Sequence, residues 1–468
     1  MKIKYSKFIT NLSYSVGANV ISVILGMAAM LIIPKFIGVD AYGYYQLYIF
    51  YVTYSSIAAL GWPEGTYLEI GGMSYHDIDK KSLSAQYRLL SFFMAIVFSV
   101  LFVVVLICPM TPEKKIVFSF SCFAGAVVNI WRYLQFIIQA TNRIKEYSLT
   151  IVIWRGVSVG LSIIAVLCGL KSYLLLILLD ALGRVLSLVY VIFCCRDITS
   201  RGRADVKLAA AEGKKAIQSG YKLLFATLAG TIIIGITRWC IENHWSITTF
   251  AEVTLTISIA NVFLQCINAV AVTLFPALRR ADRKELSRLY PIINSVVVIG
   301  LFGCMIFYYP MTKLLIWWLP QYEASIGYAA FLLPICVYEC KSSVLVSTYL
   351  KTLREEKILF RINFVSVAMA VVLSFFTIYI IDSLIGAMLA ILIVLAYRCC
   401  VGEIKICKIM KRSCAKTIAA ETVMVIAFIL CGSLLEWAGT VLFAGMFIVY
   451  LFIFKGDVKE IKKLMFRR

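Results

Sequence analysis

The sequence predicts an all-α integral membrane protein, and three observations support this fold class. Of the 468 residues, 62% are hydrophobic and only 15% are charged, which is too little charge to cover a soluble protein of this length. The apolar residues form long windows, and the Lys and Arg residues lie in short runs between them. A helix needs roughly 20 apolar residues to cross a bilayer, so a dozen or more spans account for almost the whole chain.

Windows of about 19 residues give about fourteen candidate helices, taken in chain order. They cover 9–34, 44–65, 87–109, 116–140, 149–168, 172–195, 221–241, 249–275, 289–310, 326–350, 359–381, 384–404, 416–435 and 437–454. The longest polar connection follows the sixth helix and divides the chain into two halves. A duplicated bundle of helices is typical of transporters whose substrate binds between the halves.

The expected architecture is therefore two six-helix lobes around a central cavity, plus a C-terminal helix pair. The domains are an N-terminal lobe, a cytoplasmic linker, a C-terminal lobe, and a helix pair with a basic cytoplasmic tail. Their boundaries are 1–195, 196–222, 223–406 and 407–468, respectively.

The distribution of cations predicts the orientation of the chain. With the N-terminus in the cytoplasm, 35 of the 46 Lys and Arg residues fall in inner segments and 6 in outer loops. This asymmetry obeys the positive-inside rule and predicts that both termini are cytoplasmic. The net charge of +21 thus mainly reports topology, and we expect no nucleic-acid partner.

The cysteine pattern and the absence of nucleotide motifs limit the chemistry further. The 15 cysteines lie mostly in or beside apolar segments, without a CxxC pair and with only two histidines in the chain. We interpret them as small buried hydrophobic residues in a reduced setting and expect no metal or cofactor.

The basic N-terminus leads into a helix that we expect to be retained rather than cleaved. Because there is no GxxxxGK[ST] motif, the energy must come from an ion gradient, the membrane potential or coupling to other steps.

Polar side chains form stripes at helical spacing on the first two helices of each predicted lobe. The stripes are Ser15, Asn19, Ser22 and Gly26; Tyr44, Tyr48, Tyr51 and Ser55; Thr227, Thr231, Gly235 and Arg238; and Thr254, Ser258, Asn261, Gln265 and Asn268. Such residues often join helices in membranes. Four stripes at equivalent places favour the walls of a water-filled cavity. Tyrosines on the second helix suit stacking on sugar rings, although packing is the alternative.

Cations inside the predicted spans indicate an anionic substrate. We expect Arg132 and Arg155 to converge near the cytoplasmic mouth of the first lobe, where two guanidinium groups suit a phosphate or pyrophosphate. The alternative is that each snorkels to the interface. Arg238, near the outer end of its helix, would be the next cation that the anion meets.

The remaining charges within spans have simpler interpretations. Lys341, after a kink expected at Pro334, is a further binding candidate, with Glu339 nearby as an ion-pair or proton site. Arg184 follows Asp180 by four residues and predicts an intrahelical pair, whereas Arg398 is expected to snorkel. The hypothetical substrate-binding set is Asn19, Tyr48, Tyr51, Arg132, Arg155, Arg238, Asn261, Gln265, Asn268 and Lys341; Glu339 and Asp180 are coupling candidates.

Several motifs resemble those of polysaccharide exporters, the Wzx-type flippases of lipid-linked oligosaccharides. The first hairpin carries Asn19-x6-Gly26, Pro34, Gly38 and Tyr42-Gly43. The segments FPALRRAD (275–282) and YLKTLREEKILFRIN (349–363) are similar to inner loops of that family. The resemblance extends over most of 9–400.

The resemblance implies the fold of the multidrug/oligosaccharidyl-lipid/polysaccharide (MOP) exporter superfamily, with helices 1, 2, 7 and 8 lining a cationic cavity. It implies a bacterial cytoplasmic-membrane flippase that moves an undecaprenyl-pyrophosphate-linked oligosaccharide by alternating access, with membrane lipids, a polysaccharide polymerase and chain-length machinery as partners. Where many family members have Asp-Arg late in helix 7, this chain has Thr237-Arg238. A coupling carboxylate is therefore missing at that place.

Three other functions remain open on sequence grounds. A lipid II flippase would handle the same pyrophosphate and polyprenyl tail. A drug or cation antiporter of the same superfamily would need buried carboxylates, and only Asp180 and Glu339 are expected to lie deep. A membrane glycosyltransferase or polymerase is disfavoured because the longest outer loop, around 310–325, is too short to carry a catalytic site.

Overall fold

The computed structural model describes residues 2–200, 205–261, 283–434 and 436–456, and every regular element in these ranges is a helix. The chain divides into two compact units, Met1–Thr227 and Leu228–Arg468. The predicted linker 196–222 contains a four-residue helix and the beginning of a long helix that starts at Val206. The first part of that long helix belongs to the first unit.

The first unit is built from helices of very different lengths. They are α1 (Lys2–Phe36), α2 (Val39–Tyr54), α3 (Trp62–Ile70), α4 (Lys80–Ile107), α5 (Pro112–Ala140), α6 (Ile144–Arg155), α7 (Leu161–Leu167), α8 (Tyr173–Cys194), α9 (Arg196–Thr199) and the start of α10 (Val206–His244). Helix α5 packs against α2, α3, α4 and α8, while α1 packs against α6 and α7. The core lies around α5, where Leu90, Met94, Tyr133 and Ile137 are completely buried.

The second unit contains the rest of α10 and the helices that follow it. They are α11 (described for 247–261), α12 (Arg283–Met305), α13 (Tyr308–Trp318), α14 (Glu323–Gly327), α15 (Ala329–Leu332), α16 (Ile335–Lys341), α17 (Thr348–Thr352), α18 (Glu356–Phe375), α19 (Leu384–Ile409), α20 (Ala415–Leu434) and α21 (Glu436–Ile453). Helix α19 packs against α15, α16 and α18 and lies at the centre of these contacts.

The all-α membrane class is confirmed, whereas the count of fourteen spans is not. Among the described residues, 11 helices are long and apolar enough to cross a membrane. Helix α2 has only 16 residues, α11 is described only in part, and the apolar segment Trp437–Ile453 is shorter than the other spans. These three helices account for the difference.

The predicted single helix 44–65 is wrong, because the chain breaks inside it. Helix α2 ends at Tyr54, a 3₁₀ turn covers Ser55–Ala59, and Gly61 adopts a left-handed conformation with φ of 88°. Pro63 follows in the first turn of α3. Proline lacks a backbone donor and clashes with the preceding turn, so it starts a helix here rather than continuing one.

Two further sequence predictions around the middle of the second unit also differ from the structure. The outer loop expected around 310–325 is mostly helical, as α13 and α14. The helix expected over 326–350 is divided into α15, α16, a π-helical turn at Ser342–Ser347 and α17. Its kink is at Pro334, as predicted, since Pro334 lies between α15 and α16.

Glycines allow α3 and α10 to approach each other within the first unit. A Cβ atom on Gly65 would lie 1.8 Å from the carbonyl oxygen of Ala216, and one on Gly220 would lie 2.0 Å from the carbonyl oxygen of Gly61. Both obstacles are backbone atoms, which cannot rotate away as a side chain can. The beginning of α10 is therefore held against α3 by direct backbone contact.

We expect Gly65→Ala and Gly220→Ala each to lower the free energy of unfolding by about 1–3 kcal/mol, the usual cost of overpacking. Thermal unfolding in detergent measures the effect. Gly26→Ala in α1 is the matched control, because no atom lies within 4 Å of its Cβ position. Equal melting temperatures for all three variants would show that α3 and α10 do not touch in this way.

Candidate functional site

A buried carboxylate organises the polar interior of the first unit. The Asp180 cluster consists of Asp180 and its four donors, Tyr48, Trp154, Ser158 and Arg184. The Tyr48 hydroxyl donates to Oδ2 at 3.0 Å and the Ser158 hydroxyl to Oδ1 at 2.6 Å. The Trp154 indole donates to Oδ1 at 3.2 Å, and the Arg184 Nε atom lies 2.5 Å from Oδ2. The predicted intrahelical pair of Asp180 and Arg184 is confirmed.

A π-helical turn at Gly156–Gly160 brings Ser158 to the carboxylate. Helix α8 can reach this turn because of Gly183, where a Cβ atom would lie 2.9 Å from the Trp154 carbonyl oxygen and 3.0 Å from the Ser158 nitrogen. Turns of this kind occur often at functional sites. The glycine and the irregular turn together create room for the Asp180 cluster between α2, α6 and α8.

Arg155 adds a second cation to the Asp180 cluster. Its guanidinium lies 4.6 Å from the centroid of the Trp154 ring, and the guanidinium of Arg184 lies 4.5 Å from the same ring. The Nε atom of Arg155 is buried and has no hydrogen-bond partner among the described residues. Two guanidinium groups thus lie beside the Trp154 ring, and only that of Arg184 is paired with the Asp180 carboxylate. The cluster therefore carries an excess positive charge that suits an anion.

Arg132 does not join Arg155, contrary to the expectation that the two would converge. Its Nη2 atom lies 2.6 Å from Oε1 of Glu64, and its guanidinium lies 5.3 Å from the Phe136 ring. Glu64 is 2% exposed and reaches Arg132 because the chain break after α2 turns α3 against α5. The sequence prediction missed this because it treated 44–65 as one straight helix.

The other predicted binding residues of the first unit have different environments. Tyr51 packs its ring edge-on against Phe118, with the centroids 4.6 Å apart. Tyr44, on the same stripe, packs against Tyr173 at 5.2 Å. Asn19 is exposed on α1. The tyrosine stripe thus contacts neighbouring helices of its own unit.

A second ionic cluster lies inside the second unit. In the Lys341 cluster, the ammonium group of Lys341 contacts the carboxylates of both Glu403 and Glu421. The amide of Asn294 donates to Glu421 at 3.0 Å, and the Cys399 thiol lies 3.9 Å from Glu403. The three charged residues are only 1–2% exposed. As in the first unit, a π-helical turn begins directly after the cation, at Ser342.

The predicted ion-pair partner of Lys341 and the predicted snorkelling of Arg398 are both wrong. Glu339 binds Arg398, with Oε2 and Nη1 2.9 Å apart, and not Lys341. Arg398 also donates to Asn363 at 2.9 Å and is 5% exposed, so it does not snorkel. The reason is helical geometry: side chains two residues apart point in different directions, so Glu339 and Lys341 meet different helices.

Arg238 on α10 and Asn261 on α11 are the remaining candidates that the structure describes. Arg238 is half-buried, and its guanidinium lies 5.1 Å from the centroid of the Phe250 ring. Asn261 is half-buried at the last described position of α11. Gln265 and Asn268 lie outside the described residues. The substrate-binding roles of Asn261, Gln265 and Asn268 stay predictions.

Sequence reasoning also missed several deep carboxylates. Glu64, Glu403 and Glu421 are each 2% exposed, although only Asp180 and Glu339 were expected to be deep. A signal was present for Glu421, which stands alone in the apolar segment TIAAETVMVIA. Buried carboxylates therefore do not by themselves separate an antiporter from a flippase here, since these three are all paired with Arg132 or Lys341.

Comparison with known proteins supports the fold. No protein-family model matches the sequence, and no curated protein sequence matches it. Among solved structures, the lipid II flippase MurJ in an inward closed conformation matches with a TM-score of 0.70 at 11% identity, covering 96% of this chain and 99% of that one. The alignment thus extends over nearly the whole of both chains.

Two other solved structures are similar over most of their lengths. An inward-facing multidrug resistance MATE family transporter of the MOP superfamily has a TM-score of 0.64 at 13% identity, covering 84% of this chain and 96% of that one. A MOP superfamily transporter from Pyrococcus furiosus, described as having a binding pocket of reversed polarity, has a TM-score of 0.55 at 12% identity, with coverage of 87% and 96%. The chain is a multi-pass membrane protein with the fold of these transporters.

Proposed function

We propose that this chain is a flippase that translocates an undecaprenyl-pyrophosphate-linked oligosaccharide repeat unit across the bacterial cytoplasmic membrane. The product would serve surface polysaccharide biosynthesis, as O-antigen, capsule or exopolysaccharide. Transport would proceed by alternating access, with both termini in the cytoplasm. The fold shared with a lipid II flippase and MOP transporters supports the class.

The proposal of an anionic substrate is supported by the Nε atom of Arg155, which is buried and has no hydrogen-bond partner in the part of the chain that the structure describes. A buried N–H donor is costly unless it is satisfied, and Asp180 is already engaged by four donors. A pyrophosphate would supply the missing acceptor through charge-assisted hydrogen bonds. Arg238 is the corresponding candidate in the second unit, and the polar residues of α1 and α11 are candidates for hydrogen bonds with sugars.

We expect Arg155→Ala to reduce translocation by about 10-fold or more, since a hydrogen bond to a charged group contributes roughly 1.5–3 kcal/mol. The melting temperature should stay the same or rise, because the variant removes a cation whose Nε atom has no partner among the residues described. Proteoliposomes loaded with lipid-linked oligosaccharide measure the rate at which the sugar becomes accessible on the other leaflet.

Two variants make this experiment specific. Arg155→Lys keeps the charge without the bidentate geometry and should retain part of the activity. Arg361→Ala removes an exposed cation and should leave translocation unchanged. Wild-type translocation by Arg155→Ala at matched protein level would contradict the assignment of this residue.

Lipid II translocation is the second candidate function, because the lipid II flippase aligns over 99% of its own length. Both substrates present a pyrophosphate and a polyprenyl tail, so the ionic clusters do not separate them. Parallel proteoliposomes containing lipid II, lipid-linked oligosaccharide or a cationic drug would distinguish the two flippases from the antiporter. Exclusive transport of the drug would contradict both flippase proposals.

A further inference from the structure

The Lys341 cluster borders a small cavity within the second unit. The cavity has a volume of about 50 Å³ and lies where α12, α19 and the start of α20 meet. Its lining includes Tyr290, Asn294, Glu403, Arg412 and Ser413. A cavity needs only about 10–15 Å³ to hold a water molecule. This one therefore has room for water beside the Glu403 carboxyl group.

The charges of the Lys341 cluster do not balance when every group is ionised. Lys341 is the one cation in contact with Glu403 and Glu421 in the described structure. All three are nearly inaccessible, and an uncompensated charge at such depth costs several kcal/mol. Arg412, the other cation lining the cavity, is exposed in the turn after α19, where solvent screens it. One added proton would leave a neutral cluster.

The hydrogen bonds indicate which carboxyl group holds this proton. Glu421 accepts from both Lys341 and Asn294, which are strong donors. Within the described ranges, Glu403 contacts Lys341 and otherwise has only a weak thiol donor, Cys399, at 3.9 Å. Glu403 also lines the cavity, whereas Glu421 does not. Glu403 is thus the less stabilised carboxylate and the one closer to water.

Two unpartnered polar groups line the same cavity. The Tyr290 hydroxyl and the Asn294 carbonyl oxygen are buried without a hydrogen-bond partner among the described residues. Tyr290 is 6% exposed and Asn294 is 3% exposed. Buried polar atoms normally find partners, so these two atoms are suited to bind a water molecule that relays a proton to Glu403.

We propose that the Lys341 cluster is a proton-binding site in which Glu403 takes up one proton through the cavity. The proton comes from water at the exposed turn formed by Arg412 and Ser413, forms an O–H bond on the carboxylate and leaves by the same route. Because Glu403 and Glu421 interact strongly through Lys341, the proton belongs to the pair, with Glu403 as its entry point.

Titratable groups surround the proposed site on the helices and the turn that form it. They are Tyr290 on α12; Tyr338, Glu339, Cys340 and Lys341 on α16; Arg398, Cys399, Cys400, Glu403 and Cys407 on α19; Arg412 and Cys414 in the turn; and Glu421 on α20. The carboxyl groups among these are Glu339, Glu403 and Glu421, and Glu339 pairs with Arg398 rather than with Lys341. A proton bound to a carboxyl group can therefore be assigned by replacing each of the three in turn.

A proton fits this site better than a metal ion does. The ammonium group of Lys341 occupies the position between the two carboxylates, where a bound cation would have to lie. If this chain is the flippase proposed above, proton uptake at Glu403 is a means of coupling transport to a proton gradient. That consequence rests on the proposed function, whereas proton binding itself does not.

Infrared spectroscopy of the purified full-length protein tests the proposal, because a protonated buried carboxyl group has a C=O band distinct from that of a carboxylate. We expect one such band at neutral pH and its disappearance as the pH is raised. Glu403→Gln and Glu421→Gln should each abolish the band while remaining folded, since Lys341 keeps one carboxylate partner. Glu339→Gln is the matched control, because Glu339 forms a single pair with Arg398, and it should keep the band.

A band that survives in both glutamate variants would overturn the proposal. Thermal stabilisation of the wild type by sodium over choline, lost in Glu403→Gln, would overturn it in favour of a metal cation. The double variant Glu403→Gln/Glu421→Gln adds an independent check. It leaves Lys341 without an anionic partner, so it should unfold at a lower temperature than either single variant, and equal stability would count against the charge balance.

Discussion

Replacing Asp180 with alanine is expected to lower the free energy of unfolding by about 3–5 kcal/mol, the cost of removing one partner from a buried ion pair. The variant leaves Arg184 without its counterion, 2.5 Å away in the wild type. It also removes the acceptor of Tyr48, Trp154 and Ser158. Since these donors come from α2, α6 and the π-helical turn, the loss should loosen the packing of three segments around α8. Thermal unfolding and limited proteolysis in detergent measure it.

Two variants separate the charge of Asp180 from its hydrogen bonds. Asp180→Asn keeps an acceptor for Ser158 and Trp154 and should be less damaging than Asp180→Ala. Asp180→Ala/Arg184→Leu removes the stranded cation and should recover part of the lost stability, because an apolar pair of similar volume can replace a buried ion pair. If the double variant loses as much stability as Asp180→Ala and Arg184→Leu lose when their separate losses are added, the ion pair is not the source of the effect.

The four hydrogen bonds that Asp180 accepts also bear on its predicted role in coupling. Four donors favour the ionised form of the carboxylate, and a proton carrier must lose and regain its proton. The geometry therefore favours a role for Asp180 in holding α2, α6 and α8 together. Glu403, which has fewer strong donors and lines a cavity, is better suited to exchange a proton.

The sequence was sufficient to predict the fold class, because that class depends on composition and periodicity. Long apolar windows indicate spanning helices, because a helix satisfies its backbone hydrogen bonds within one segment of the chain. The break at Gly61–Pro63 could have been read from the same residues. It was missed because the hydropathy window averages over about 19 residues and hides a local interruption.

The ionic partners could not be predicted, because they join helices that are distant in sequence. Lys341 and Glu421 are separated by 80 residues, and nothing near Lys341 indicates which helix carries its partner. Only pairs within one helix follow from spacing, and that is why the pair of Asp180 and Arg184 was predicted. Glu339 was chosen for Lys341 by proximity in sequence, which in a helix does not mean contact at a spacing of two residues.

We expect Lys341→Met to lower the free energy of unfolding by about 3–5 kcal/mol, because it leaves Glu403 and Glu421 buried without a cation. These glutamates lie on α19 and α20, so the variant should separate α20 from the helices around α19. The loss should be largest at alkaline pH and shrink on acidification, since two neutral carboxyl groups need no counterion. Thermal unfolding of the variant and the wild type across a pH series measures this difference.

The triple variant Lys341→Met/Glu403→Gln/Glu421→Gln tests whether charge alone is responsible. It replaces the ionic cluster by neutral groups of similar size and should recover much of the stability, with little dependence on pH. Lys351→Met is the control, because it makes the same substitution on the next helix, α17. It should show no comparable loss. A Lys341→Met protein that melts like the wild type at every pH would mean that the ammonium group does not bridge the two carboxylates, and the proton-binding site would lose its structural basis as well.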